Sequence, residues 1–464
     1  MTDQLEIRLE QTLEAQAASL PSLAEEALPV RPLAQSRPNR SVVSGPAAAF
    51  LAAAAVLLVL GGSAWLLGRA PSSVEPAAPD GSYYLSGLPV EWSLSDFAPE
   101  GWSLGPVAIA EKGAVLVGRS AEAAHASRGW FSGVPTEDWV EIDAFDGGTV
   151  IRGITGGTFG FLASGIRLDG TGVTETTLGD GPRPPGPVST VWYSPDGTAW
   201  TETALPLPPV ADRISEITDY YVRPVAGTDR VMVIAGDETD ESGAETSYDG
   251  MVIPSRPLVW WSEDGSTWEL VDEPAWDDAT SVGSLAVSDD LIALVISYGG
   301  DEPRSVVWTT EDGRNWELAH EFEQGVRCSL AGAPAGFVGA CRDGSIRFSA
   351  DGSTWVTSYT PPEGLLVGHI AGGDGGYVML LMPADVDAVE DDLSEVEPLF
   401  YASADGYRWE PISEPGSFGL GFLPDHLAAS DREVIVVGNR YGEGGLLDQI
   451  GSEESEMWVG LPHG

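Results

Sequence analysis

Seven times between residues 106 and 438 the chain runs through alternating apolar and small residues, with a turn near the middle of the run. The stretches are Pro106–Gly118, Val150–Gly165, Ile214–Ala235, Ser281–Ser297, Val326–Cys341, Gly368–Met382 and Leu427–Gly438. Alternation with a period of two predicts β-strands. Turn residues such as Ala-Pro-Ala-Gly at 333–336 and Gly-Asp-Gly-Gly at 373–376 fold each stretch into an antiparallel pair. The Gly372–Gly376 run is read here as part of a strand turn.

Five of the pairs are followed by a second pattern. An apolar, aromatic run leads into Ser/Thr-x-Asp-Gly-x-x-Trp: Val191-Trp192-Tyr193, Val259-Trp260-Trp261, Val306-Val307-Trp308, Ile346-Arg347-Phe348 and Leu399-Phe400-Tyr401 come first. The copies are Ser194/Asp196/Gly197/Trp200, Ser262/Asp264/Gly265/Trp268, Thr310/Asp312/Gly313/Trp316, Ser349/Asp351/Gly352/Trp355 and Ser403/Asp405/Gly406/Trp409. Two strands joined at Asp-Gly form a hairpin. Gly supplies positive φ without a Cβ clash, the Asp and Ser side chains bond the turn backbone, and Trp fills space beside it.

A pair followed by a hairpin is a four-stranded unit. The span from Trp316 to Trp355 is close to the roughly 40 to 50 residues of a propeller blade, and longer intervals need only longer loops. A worn hairpin follows the first pair, with Trp130-Phe131-Ser132 before Thr136-Glu137-Asp138-Trp139. The last pair is followed by one strand, Met457-Trp458-Val459-Gly460, so the missing outer strand must come from the other end of the domain, within Tyr83 to Trp92. Such closure removes exposed strand edges. The expected fold is all-β, a seven-bladed β-propeller over residues 82–464, with six or eight blades as alternatives.

The hairpin phrase resembles the Asp-box, or BNR repeat, of the sialidase-type propellers, whose pattern is Ser-x-Asp-x-Gly-x-Thr-Trp. Here the residue between Asp and Gly is missing, while Thr precedes Trp at Thr267-Trp268 and Thr354-Trp355. The resemblance implies that the boxes are structural turns between the third and fourth strands, on the face away from the family's active site. It implies that the boxes themselves are not catalytic, and no catalytic residue of the family can be carried over to this chain. The family's Arg-Ile-Pro motif is not found in the first blade, and Arg119, Arg152, Arg223 and Arg304 lie in no matching motif.

Ahead of the repeats, residues 47–68 form an uncharged apolar run long enough to cross a bilayer as a helix. Arg31, Arg37 and Arg40 precede it, which places residues 1–46 in the cytoplasm and the propeller outside the cell membrane. Leu5, Leu9 and Leu13 suggest a short amphipathic helix in the tail, and residues 69–81 read as a linker. The net charge of −48 disfavours nucleic acid as a partner.

Candidate chemistry is sparse. The loops after the second strand of four blades are long, and two are crowded with acids: Asp237, Glu238, Asp240, Glu241, Glu245 and Asp249 in one, Asp385, Asp387, Glu390, Asp391, Asp392, Glu395 and Glu397 in the other. Hard oxygen ligands could hold Ca²⁺, but no EF-hand order is present and no other cofactor is implied. His125, His320, His369, His426 and His463 show no metal spacing. Cys328 and Cys341 stand opposite each other on one predicted hairpin, so a disulfide is expected outside the cytoplasm. These features point to a membrane-anchored propeller that binds a protein or glycan through the loops opposite the Asp-Gly turns. The alternatives are a diverged sialidase-like glycoside hydrolase and the sensor domain of a transmembrane signalling protein.

Overall fold

The computed structural model describes residues 90–120, 126–133, 138–145, 148–167, 188–208, 219–239, 245–247, 250–252, 255–276, 278–299, 304–383, 396–441 and 454–462. The expectations for the cytoplasmic tail, the membrane helix and the linker fall outside these residues. Among the described residues no helix is long and apolar enough to cross a membrane.

The strands form seven antiparallel four-stranded sheets, the blades of a β-propeller. Blades 1 to 6 follow chain order within Trp102–Ile142, Thr149–Ala204, Asp219–Leu270, Ser281–Glu321, Cys328–Tyr359 and Leu365–Pro411. Blade 7 takes Phe422–Ala429, Val434–Arg440 and Glu454–Pro462, then borrows Val90–Leu94 as its outermost strand. Val90 stands opposite Pro462 and Leu94 opposite Trp458. The ring therefore closes with the strand expected from the other end of the domain. A two-stranded hairpin, Glu245–Ser247 with Gly250–Val252, lies in the connection between the second and third strands of blade 3.

The first strand of each blade is innermost and contacts the first strands of its neighbours, so seven such strands surround the axis. Seven hydrophobic clusters occupy the seven junctions between blades; one joins Val233, Val259 and Trp261 of blade 3 to Leu294, Val306 and Trp308 of blade 4. Burial of both faces of every blade supplies the driving force for closure.

Six of the seven inner pairs carry a register shift, for example between Leu104 and Val107 and between Ile151 and Gly153. A bulge leaves a backbone donor without its ladder partner. In three cases an acceptor from the preceding blade satisfies the donor just before the shift. Leu104 N–H donates to Ser455 Oγ at 3.2 Å, Ile151 N–H to Ser127 Oγ at 3.0 Å and Val282 N–H to Asp237 Oδ1 at 2.8 Å. Blade 5 has continuous register, with Cys328 opposite Cys341 at a Cα separation of 3.9 Å in the expected disulfide.

Candidate functional site

The five Asp-Gly-Trp turns join the third and fourth strands of blades 2 to 6. Gly197 N–H donates to Ser194 Oγ at 2.8 Å, and Gly265, Gly313 and Gly406 donate to Ser262, Thr310 and Ser403 at 2.9 Å. All five glycines have positive φ, between 71° and 82°. The Asp carboxylate accepts the next two backbone N–H groups, as Asp196 does from Thr198 at 2.9 Å and Ala199 at 3.0 Å. Asp312 accepts from Arg314 and Asn315, Asp351 from Ser353 and Thr354, and Asp405 from Tyr407 and Arg408, the last two both at 2.8 Å. Trp Nε1 donates to the Gly carbonyl at Trp200, Trp268, Trp316 and Trp355.

Two of the five copies differ from the rest in detail. In blade 5, Gly352 keeps the positive φ of 75° but does not make the N–H bond to Ser349 Oγ that the other four glycines make to their Ser or Thr. Ser349 Oγ keeps the bond that the other four copies also make, donating to Asp351 Oδ1 at 3.2 Å. In blade 6, Asp405 and Gly406 close the corner, yet the Trp409 indole is not tied to it: among the five it alone leaves a buried Nε1 without a partner. The Asp405 corner thus closes through its own carboxylate and backbone, without the indole bond. The backbone donors from Ala199 and Thr198 hold Asp196 down at about 2, and those from Thr267 and Ser266 also lower Asp264. Polar groups of these turns are thus largely spent within the turns.

Antiparallel order puts the turn between strands one and two on the same face as these hairpins. Lys112, in the first turn of blade 1, donates to Pro195 O of the blade 2 hairpin at 3.1 Å. The long connections between strands two and three leave from the opposite face. They comprise residues 168–187, 240–254, 384–398 and 441–453. At their described ends several acids already have partners: Glu238 pairs with Arg256, Asp237 accepts from Val282, and Glu397 accepts from Gly416 N–H.

Toward the turn face the inner strands converge until backbone meets backbone. A Cβ on Gly332 would lie 1.9 Å from Val287 O of blade 4, and one on Gly372 would lie 2.0 Å from Gly332 O of blade 5. Small residues therefore recur at this end of the inner strands, as at Gly156-Gly157, Ala331-Gly332 and Ala428-Ala429. Gly372 and Gly373, expected in a turn, lie inside the strand Leu365–Gly373, because only glycine permits this approach. The converging strands and their turns surround an open-mouthed cavity of about 670 Å³ lined by all seven blades. Its lining includes Val107, Leu285, Leu330, Ile370 and Leu427, whose side chains pack into the junctions between blades, and hydroxyls at Thr155, Thr158, Thr228 and Ser430. Its rim carries Glu111, Asp289, Asp374 and Asp431, with Arg432 as the guanidinium in the lining. Burial, and then repulsion from Asp431 and Glu111, push the Asp374 carboxyl upward.

Just beyond this cavity, toward the loop face, His369 and His426 occupy the inner strands of blades 6 and 7. Burial lowers both; for His426, with His369 and Arg119 adding repulsion, the value falls to about 4. The four candidate arginines do not gather in the cavity. Arg119 lies near the end of the second strand of blade 1, while Arg152 and Arg223 lie at inner-strand bulges of blades 2 and 3. Arg304, on the third strand of blade 4, pairs with Glu321 at 3.2 Å and covers the Tyr298 ring at 4.7 Å. His320 packs edge-on against Phe322 on the outer strand of blade 4. Among the described residues no group of His, Cys, Asp and Glu is placed to hold a metal ion.

The acid-rimmed cavity was missed in the sequence. A signal existed: small residues end the inner strands, and an acid follows at Glu111, Asp289, Asp374 and Asp431. Each acid is unremarkable singly among 71, and only the ring brings them to one mouth.

No protein-family model matches the chain, and no curated protein sequence matches it. Solved structures align with it at low identity. A puromycin hydrolase aligns at 9% identity and a TM-score of 0.47, over 74% of this chain and 51% of the hydrolase, so the chain spans about half of that protein. YCF48 from Cyanidioschyzon merolae aligns at 14% identity and 0.42, covering 80% and 98% of the two chains. Trypanosoma rangeli sialidase, in complex with the inhibitor DANA, aligns at 13% and 0.37, covering 80% and 59%.

Proposed function

We propose that this protein is a propeller held at the cell membrane by residues 47–68, with its blades outside, binding a protein or glycan through the long loops of one face. The asymmetry of the connections carries this reading. One face has tight turns whose polar groups bond one another, and the other has connections such as 168–187 and 384–398. Long connections on one rim of a rigid scaffold are where binding resides. The Asp-Gly-Trp hairpins act as structural turns of the Asp-box kind. The disulfide between Cys328 and Cys341 suits an oxidising compartment.

The test uses the full-length chain in detergent, presented to a glycan array and to chemically crosslinked envelope extracts. A retained glycan or crosslinked protein is expected. It is lost when 168–187 or 384–395 is replaced by Gly-Ser of equal length and kept when the turn-face residue Arg314 is changed to Ala. No retained ligand, or silent loop replacements, overturns the reading. Glycoside hydrolysis has less support, since Arg304 is bound to Glu321 away from the axis and the described cavity holds Arg432 among its carboxylates.

A further inference from the structure

Blade 7 closes the ring, and each of its two junctions carries a histidine at the channel. Most inner pairs end in a turn closed by residues three apart, such as Ala110 with Gly113 and Gly373 with Gly376. Blades 3 and 7 close theirs through Thr228 N–H to Val231 O and Ser430 N–H to Glu433 O. Four residues back from the turn, blades 6 and 7 have His369 and His426, opposite Leu380 and Val437. The other blades have Pro106, Gly153, Pro224, Ser284 and Ser329 there, none of which takes up a proton.

Side chains alternate along each strand. Ala371 packs in the junction of blades 6 and 7, so His369, two residues before it, shares that side. Ala428 packs in the junction of blades 7 and 1, and His426 shares that side. His369 is exposed to the channel water, and His426 is half-buried. The charged groups acting on His426 are His369 from blade 6 and Arg119 from blade 1, and both repel a proton. Its strand neighbour Asp425 accepts from Asn439 Nδ2 at 2.7 Å, and Arg440 on the second strand of blade 7 is bound to Glu456. The inner strand of blade 1 has no ionisable side chain, the second strand of blade 6 has only Tyr377, and Cys328 of blade 5 is in the disulfide. No described carboxylate is among the groups acting on either ring. The chain crosses the junction of blades 7 and 1 only between Leu94 and Trp102, so this junction depends on the pairing of Val90–Leu94 with Glu454–Pro462.

We propose that blade 7 is an acid-sensitive element: proton uptake by His369 and His426 loosens it from blades 6 and 1 while blades 2 to 5 stay closed. The device does not depend on what the loop face binds. Both rings lie below the ordinary histidine value of about 6.5, so the closed ring favours neutral histidine and an opened blade takes up protons. Opening therefore grows as pH falls below about 6.5 and levels off below the folded value, about 4 for His426. His426 alone gives roughly twentyfold between pH 7 and pH 5.

Amide exchange of the full-length protein in detergent, corrected for its intrinsic pH dependence, tests this at pH 7 and pH 5. Opening should rise at least tenfold in Phe422–Ala429, Val434–Arg440 and Val90–Leu94, and less than twofold in the blade 3 strands Met232–Thr239 and Ser255–Ser262. His369→Gln with His426→Gln keeps polar, uncharged side chains and should hold blade 7 within twofold as well. A histidine NMR titration of the unaltered protein needs no variant to fold, and both rings should titrate below about 6.5. Three results would each overturn the proposal: equal acid opening in all blades, which marks general protonation of carboxylates; a tenfold rise in blade 7 that survives the double variant; or either ring titrating at or above about 6.5.

Discussion

Asp196 accepts the amides of Thr198 and Ala199 and a hydroxyl from Thr198, and those bonds to its charged form keep its carboxyl at about 2. A folded value below the unfolded one, about 3.9, means that the ionised form favours folding. The contribution is present above about pH 4 and is lost as pH falls through the folded value. Asp196→Asn should therefore lower stability at pH 7 by about 1 kcal/mol, since solvent around the half-exposed carboxylate screens the effect. Its melting temperature should converge on that of the parent by pH 2. A constant gap from pH 7 to pH 2 in thermal melts would contradict the assignment. Asp374 shows the opposite sign: burial and its acidic neighbours raise it, so its ionisation opposes folding. Asp196 was legible in the sequence because its partners lie within three residues. Asp374 was not, because Asp431 and Glu111 come from other blades. The departures at Gly352 and Trp409 were equally hidden, since the phrase is the same in all five copies.

The closing strand Val90–Leu94 carries more than backbone pairing. Trp92 Nε1 donates to Ile412 O of blade 6 at 2.8 Å, and its ring packs against Phe400 at 5.4 Å and Phe418 at 4.8 Å. One side chain thus ties the borrowed strand to both blade 7 and blade 6. Trp92→Ala should cost about 3 kcal/mol, as expected for a large-to-small change in packed surroundings. The ring is opened at its seam, so amide exchange should rise first in Glu454–Pro462, the pairing strand. Uniform loss of protection over all seven blades would show that the seam is not the weak element. Element order, hairpins and the seam could be read from period-two alternation and from the lone late strand at Met457. Bulges could not, because the acceptors Ser127, Asp237 and Ser455 belong to neighbouring blades.

At the scale of the whole molecule, a charge of −48 acts on a closed ring whose described arginines are largely committed to local pairs such as Arg347 with Glu323 and Asp343. Blade count and ring closure follow from repeated local patterns, so they were available in the chain. The cavity was hidden, because it exists only where seven inner strands, far apart in sequence, converge closely enough that Gly332 and Gly372 admit no side chain. Net repulsion favours expansion and is relieved by screening. The Debye length falls from about 30 Å at 0.01 M salt to about 8 Å at 0.15 M, so charges on neighbouring blades cease to interact at long range. The melting temperature should therefore rise by several degrees between 0.01 and 0.15 M NaCl, and KCl should match NaCl. Most of the gain should be complete by 0.15 M, because screening beyond that point reaches only adjacent charges. A flat response would show that repulsion is already neutralised by local pairing. A response to NaCl but not to KCl would point to specific ion binding in place of screening.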